Sequence, residues 1–188
     1  MSNYFIADLH FGHQNILAFD NRPFNTIEEH DQTIIENWNN TVGIDDDVYI
    51  LGDISWYNVT KTIEIFKQLN GHLHLIKGNH DGRLLKNHEL RALFVEICDY
   101  KELQRDDGKI IVLSHYPIPC FKNHYYGSYH LYGHVHGGFE YNIMLNVKRQ
   151  MEELYTVPCK MYNVGAMIRY MGYIPRTLDE ILEANKAE

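Results

Sequence analysis

Apolar positions along the chain fall into two alternating rhythms, short buried runs and longer stretches at helical spacing. Residues 4–9 form the first short run and predict a buried strand that ends at a polar turn containing Gly12. Across residues 25–42, Ile27, Ile34, Ile35, Trp38 and Val42 recur at helical spacing before Gly43. Asn25 or Thr26 can cap that helix, with Glu28 or Glu29 three residues on. Residues 47–51 predict a second strand, closed by Gly52-Asp53, and residues 58–69 a helix that ends at Asn70-Gly71. A strand over 72–77 then runs into Gly78-Asn79-His80-Asp81, and 83–94 reads as a helix.

The later half is richer in strands. Residues 95–103 and 109–114 predict two strands joined across Asp107-Gly108, a hairpin signal. Residues 116–129 read as an aromatic, proline-containing loop and 130–132 as a strand before Gly133. Met144, Val147, Met151 and Leu154 predict a short helix, 160–164 a strand, and 177–185 a helix with Thr177 and Glu180 as capping box. The pattern predicts a layered α/β fold with mixed sheets. Each polar cluster falls just after a strand, where open α/β sheets gather their sites.

Composition narrows the class. At 188 residues the chain is expected to be one domain spanning 1–188, and 45% hydrophobic with 22% charged residues is an ordinary globular balance. No apolar run approaches the ~20 residues needed to cross a bilayer, and no basic leader precedes Asp8, so neither membrane partner nor signal peptide is expected. Cys98, Cys120 and Cys159 share no C-x-x-C spacing, which points to reduced thiols and a cytoplasmic setting. A net charge of −8 argues against long nucleic acid as a partner. The unusual count is 12 histidines.

Several of these histidines stand with carboxylates at the predicted strand ends: Asp8-Leu9-His10, Gly52-Asp53, Gly78-Asn79-His80-Asp81, Ser114-His115 and Gly133-His134-Val135-His136. Asp-x-His and His-x-His place two donors on one side of an extended segment. The glycines before Asp53, Asn79 and His134 permit sharp turns and leave room at a crowded place. This mixture of imidazole, carboxylate and amide donors without thiolate suits Mn²⁺, Fe²⁺ or Zn²⁺ better than Mg²⁺ or Ca²⁺. The donors are too many for one ion, and two ions sharing a carboxylate would use them all. Such a pair would also make the site locally positive on an acidic protein.

In this order the five segments resemble the signature of the calcineurin-like metallophosphoesterases, D-x-H, G-D, G-N-H-(D/E), H and G-H-x-H, over Asp8 to His136. The wording Asp8-Leu9-His10-Phe11-Gly12-His13, followed by Asn21-Arg22-Pro23-Phe24, resembles a small bacterial and phage-associated branch. The resemblance implies a four-layer αββα sandwich of two mixed sheets flanked by helices, with a dinuclear centre at one edge. It implies one ion on Asp8, His10, Asp53 and His136, and a second on Asp53, Asn79, His115 and His134. Mn²⁺ is the preferred ion, with Fe²⁺, Zn²⁺ or Ni²⁺ as alternatives. The implied reaction is hydrolysis of a phosphodiester or phosphomonoester by in-line attack of metal-bound hydroxide. His80 would be the general acid, oriented by Asp81.

The remaining candidates have bland readings as well as sharp ones. His13, Arg22 and Tyr125 are candidate substrate contacts, although His13 can equally support a metal ligand and a lone arginine in a loop is more often a surface residue. His124 and His130, with the tyrosines of 116–129, would form either a substrate wall stacking on a base or aryl group, or a loop cover or dimer contact. Trp56 can shape the cleft. His72 and His74 read as solvent-facing or edge-strand residues, His30 and His88 as helix residues without partners, and Lys148-Arg149 as a solvated helix face. Cys120 has no paired base to make it a nucleophile. The expected partner is a small phosphorylated, nucleotide-like substrate, and a homodimer fits the aromatic loop. The other readings are a catalytically lapsed metal-binding scaffold for protein interaction, or a nuclease on short oligonucleotides.

Overall fold

In the computed structural model, which describes residues 1–186, the first half of the chain alternates strand and helix. Strand β1 (Asn3–Ile6) leads through the single turn α1 (Ile16–Phe19) to helix α2 (Ile27–Thr41) and strand β2 (Asp47–Ile50). Helix α3 (Val59–Phe66), strand β3 (His72–Ile76), a 3-10 turn over Asp81–Lys86, the short α4 (His88–Arg91) and strand β4 (Phe94–Cys98) follow. Strands β5 (Tyr100–Gln104), β6 (Ile110–Ser114) and β7 (Tyr129–Tyr132) precede helix α5 (Phe139–Glu153). Strands β8 (Met161–Asn163) and β9 (Arg176–Thr177) and helix α6 (Leu178–Ala184) complete the described chain.

Among the described residues the strands form two mixed sheets, ordered β4-β3-β2-β1-β9 and β5-β6-β7-β8. The first is parallel from β4 to β1, with Ile6 opposite Ile50, and antiparallel only at β9. The second is parallel from β6 to β8 and antiparallel at β5. With the flanking helices this is the expected α/β sandwich. Alternation along β6 shows how the layers form: Ile111 and Leu113 enter the core shared with Phe5, Ile6 and Ile50, while Ile110 and Val112 enter a second core with Phe121, Tyr132 and Met161. Helices α2, α3 and α6 add Ile34, Trp38, Ile63, Phe66 and Ile181 to the first core; α5 covers the second with Tyr141, Met144 and Met151.

Four expectations are corrected. Residues 83–94 are not one helix: Asn87 is extended and caps α4 through Leu90 N–H at 2.9 Å, so its side chain starts a new helix where continuity was expected. Residues 95–103 are two strands, because the chain leaves one sheet at Cys98 and enters the other at Tyr100. The aromatic segment ends at Ser128 instead of Tyr129, since Tyr129 pairs with Ile111. The short helix around Met144 is a 15-residue helix beginning at Phe139. The Thr177–Glu180 capping box is present.

Trp38 ties α2 to the first core: its ring is fully buried and its Nε1–H donates to the Asn70 carbonyl at 2.9 Å. Trp38→Ala is expected to destabilise the protein by about 3–5 kcal/mol, from lost burial and the cavity left behind. A urea unfolding curve with unchanged slope and a lowered midpoint would report it.

Candidate metal centre

The centre is built where β1, β2, β3, β6 and β7 end. Past β1, Asp8 N–H donates to the Gly52 carbonyl and His10 N–H to the Asp53 carbonyl, both at 3.0 Å, so the first two segments run side by side. Left-handed backbone concentrates here: Asp8, His10, Asp53, His134 and His136 have φ of 54°, 52°, 55°, 69° and 46°. This conformation costs an L-residue roughly 1–2 kcal/mol, and surrounding structure must hold it. Two glycines make the crowding possible. A Cβ on Gly78 would lie 2.3 Å from Asp53 Oδ1, and one on Gly133 would lie 2.7 Å from Asp8 Oδ2.

Two overlapping groups of donors result. Donor atoms of Asp8, His10 and His136 lie within 4.8 Å of one another, as do those of Asp8, Asp53 and His115. His10 Nε2 is 3.2 Å from His136 Nε2, and His136 Nε2 is 3.9 Å from Asp8 Oδ1. Asn79 Oδ1 lies 2.9 Å from His115 Nε2 and 3.0 Å from His134 Nδ1. Asp53 Oδ2 stands between the groups, 3.9 Å from His10 Nε2 and 3.7 Å from His115 Nε2. The seven donors named from the sequence are thus gathered in one place.

Their chemistry fits divalent cations. His115 Nδ1 must donate to the Leu51 carbonyl at 2.7 Å, which leaves a lone pair on the Nε2 that faces Asn79 and Asp53. His136 Nδ1 likewise donates to Asp20, 2.9 Å from each carboxylate oxygen, which turns its Nε2 toward Asp8 and His10. Orienting bonds of this kind on the far ring nitrogen are typical of metal-ligating histidines. Burial and the Arg22 charge hold His10 well below the usual histidine range, and burial lowers His134, so both offer neutral rings near pH 7. Burial raises Asp8. Burial works against His136, but the Asp20 hydrogen bond and the Asp8 charge hold it above its ordinary value.

The supporting layer was not legible as such. Asp20 was not singled out, and Arg22 was expected to touch phosphate or solvent; both expectations for Arg22 are corrected. Its guanidinium is buried and donates to Asp20 Oδ2 from Nε at 3.0 Å and from Nη2 at 2.9 Å. It also reaches the Asp8 carbonyl at 3.1 Å, the Leu9 carbonyl at 3.3 Å and His30 Nε2 at 2.8 Å. All five donors of an arginine are used, so none remains for a substrate. His30, expected to lack partners, passes the chain on from its Nδ1 to Asp31 at 2.7 Å. Asp31 in turn accepts from Gly12 N–H at 3.0 Å.

Other expectations change as well. Asp81 does not orient His80: its buried carboxylate accepts from the backbone N–H groups of Asp53, Ile54 and Gly78 at 3.1, 2.9 and 2.7 Å, pinning two ligand loops together. His80 is half exposed, with its N–H on Asp53 Oδ1 at 3.0 Å, its Nε2 4.0 Å from Asp53 Oδ2, and its ring 4.5 Å from Trp56. His13 lies parallel to Trp56 at 4.1 Å, with Nδ1 3.3 Å from His10 Nδ1. His130 is no substrate wall. It is fully buried, donates to the Val112 carbonyl and accepts from Ile118 N–H, both at 3.0 Å, and burial pushes it down to about 4. His124 turns back to the Phe121 carbonyl, and exposed Tyr125 packs on His124 within the loop. The aromatic residue this segment brings to the centre is Tyr116, 4.5 Å from His134.

At the opposite end of the first sheet, β3 is internal, so His74 is neither solvent-facing nor at an edge. It lies buried between Glu96 at 2.8 Å and Asp47 at 2.9 Å, and stacks on Tyr49. His72 and His88 are exposed.

A cleft of about 580 Å³ opens beside the centre, lined by His134 and His136 and walled by Phe19, Phe139, Leu145 and Arg169. Only its histidines were read from the sequence, since the other residues come from α1, α5 and the 167–170 turn. Among the described residues no helix is long and apolar enough to cross a membrane.

Fold and site together define a two-sheet α/β sandwich with a cluster of aspartates and histidines that could hold metal. No family model matches the chain. It is 31% identical over 182 residues to the uncharacterized protein MJ1445 of Methanocaldococcus jannaschii, covering 96% of this chain and 89% of that one, and it belongs to that protein's family. It is also 39% identical over 97 residues to the gene 66 protein of Mycobacterium phage L5, covering 50% of this chain and 46% of the relative. The crystal structure of the protein of unknown function AQ665 from Aquifex aeolicus has the same fold, with a TM-score of 0.71 and 27% identity over 97% of this chain and 98% of that one.

Asp20→Asn should weaken Mn²⁺ binding about 10–100-fold by loosening the His136 ring. Calorimetric titration of the metal-free protein checks it; an unchanged affinity would remove Asp20 from the ligand-orienting layer.

Proposed function

We propose that the protein is a cytoplasmic, dinuclear-metal-dependent phosphoesterase acting on a small phosphorylated substrate. The observation that carries this reading is the convergence of lone-pair donors on Asp53 Oδ2, with His10 on one side and His115 on the other. Asp8, His10, Asp53 and His136 would hold one ion, and Asp53, Asn79, His115 and His134 the other, with Mn²⁺ preferred for this donor mix. When bound, two such cations lower the pKa of water and draw charge from phosphoryl oxygens.

The chain's own residues would do the remaining work. Asp53 would serve both ions through its Oδ2, while its Oδ1 accepts from the His80 backbone N–H at 3.0 Å. His80 packs on Trp56 and stays half exposed, so its ring can meet an arriving ester and hand a proton to the departing oxygen. Trp56 also packs on His10 and His13, at ring distances of 4.6 and 4.1 Å. Tyr116 and His134 border a second, apolar groove of about 330 Å³ beside the first cleft. Both hollows have the scale of small-molecule sites.

With Mn²⁺ and a panel of mono- and bis-aryl phosphates, hydrolysis is expected to fall about 10²–10⁴-fold in His80→Ala, with two metal equivalents retained. Turnover unchanged in that variant would overturn His80 as the acid. Asp53→Ala should lose both ions and more activity than any terminal-ligand variant. Metal analysis that finds two equivalents in Asp53→Ala would overturn the shared-carboxylate reading.

A further inference from the structure

The cleft beside the centre contains a basic side chain for which the proposed chemistry has no use. Arg169 lines the cleft together with His134 and His136, and it is the one lysine or arginine among the described residues that does so. Its side chain is exposed and makes no ion pair to a described carboxylate. Its guanidinium is therefore not committed to a carboxylate, unlike those of Arg22 and Arg105.

Arg169 is also held in place. The residue before it, Ile168, is buried and its N–H donates to the Gly165 carbonyl at 2.9 Å. Met171, two residues on, is fully buried and its N–H donates to the Ile168 carbonyl at 2.8 Å. Tyr170 Oη donates to the Asn163 carbonyl at 2.5 Å, and Ala166 N–H to the Ala7 carbonyl at 2.8 Å. The turn that presents Arg169 is therefore anchored to the same strand end that carries Asp8. Across the cleft, Phe19 and Phe139 are 71% and 79% exposed, an unusual state for two phenylalanines flanking one hollow.

Resting on the phosphoesterase reading, the geometry points to a specificity-determining site. Arg169 binds a second anionic group, carboxylate or phosphate, on the arm of the substrate that extends from the reacting phosphoryl group into this cleft, and Phe19 and Phe139 pack against an aromatic part of that arm. A guanidinium offers paired donors matched to either planar or tetrahedral oxyanions. Asp20 and Glu140 also line the cleft, and Arg169 is the one lysine or arginine among its described lining residues with which an anionic arm can pair.

The test separates this site from turnover. Phenylphosphonate, 4-carboxyphenylphosphonate and 1,4-phenylenediphosphonate carry a P–C bond in place of the ester, and each can be titrated calorimetrically into the protein in Mn²⁺ buffer. The two probes with a second anion are expected to bind about tenfold more tightly than phenylphosphonate, and their order tells carboxylate from phosphate. Arg169→Gln should bring all three to a common Kd, and Arg169→Lys should keep part of the preference, both with unchanged thermal unfolding. Equal affinities in the unmodified protein, or a preference that survives Arg169→Gln, would overturn the assignment. Binding of none of the probes would overturn it together with the phosphoryl site. The expected preference without hydrolysis of any ester would uphold Arg169 and reject the catalytic reading alone.

Discussion

The crowding of buried carboxylates, imidazoles and an amide into one confined space is the constraint around which the rest of this protein is arranged. His115 Nε2 lies 2.9 Å from Asn79 Oδ1 and His10 Nε2 lies 3.2 Å from His136 Nε2, while the far ring nitrogens of His115 and His136 are committed as donors to the Leu51 carbonyl and Asp20. Uncompensated burial of such groups is costly. A fold keeps them together only with rigid support, and the support is visible. Asp20, Arg22, His30 and Asp31 form a continuous hydrogen-bonded chain behind the first donor group. Asp81 binds three backbone N–H groups behind the second.

Backbone strain belongs to the same arrangement. Parallel strands end together at one edge of a sheet, so their following residues are close already; what they lack is the direction to face one point. Left-handed φ at Asp8, His10, Asp53, His134 and His136 turns the chain sharply enough to supply it. Hydrogen bonds between the neighbouring ends, Asp8 to Gly52 and His10 to Asp53, hold that conformation. Gly78 and Gly133 accept carboxylate oxygens where a side chain would collide. Left-handed backbone, tight glycine contacts and buried carboxylates thus coincide where the ligand segments meet.

The elements that were legible in the sequence are those with a strong local signal. Buried runs such as Asp47–Ile50 and amphipathic stretches such as Ile27–Thr41 declare their period over enough residues to be read. The break at Asn87 and the change of sheet between Cys98 and Tyr100 are not periodic events, and they were missed. His74 and His130 show the limit for single residues. His74 was read as solvent-facing or at an edge and His130 as part of a substrate wall or loop cover, and each is satisfied by distant atoms: Asp47 and Glu96 of neighbouring strands for one, Val112 of β6 and Ile118 of the following loop for the other. Arg22 is the same lesson at the site itself.

Donor identity was written in the chain, since Asp-x-His, Gly-Asp, Gly-Asn-His-Asp and Gly-His-x-His are local patterns whose chemistry does not depend on where they end up. Their gathering into two overlapping groups that share Asp8, the commitment of Asp20 to His136 and Arg22, and the cleft formed by α1, α5 and the Arg169 turn were decided only in three dimensions. The physical reason is distance along the chain. A hydrogen bond between residues 116 positions apart, as between His136 and Asp20, leaves no trace in local periodicity, because it exists only once two sheets have packed and brought their ends to one edge.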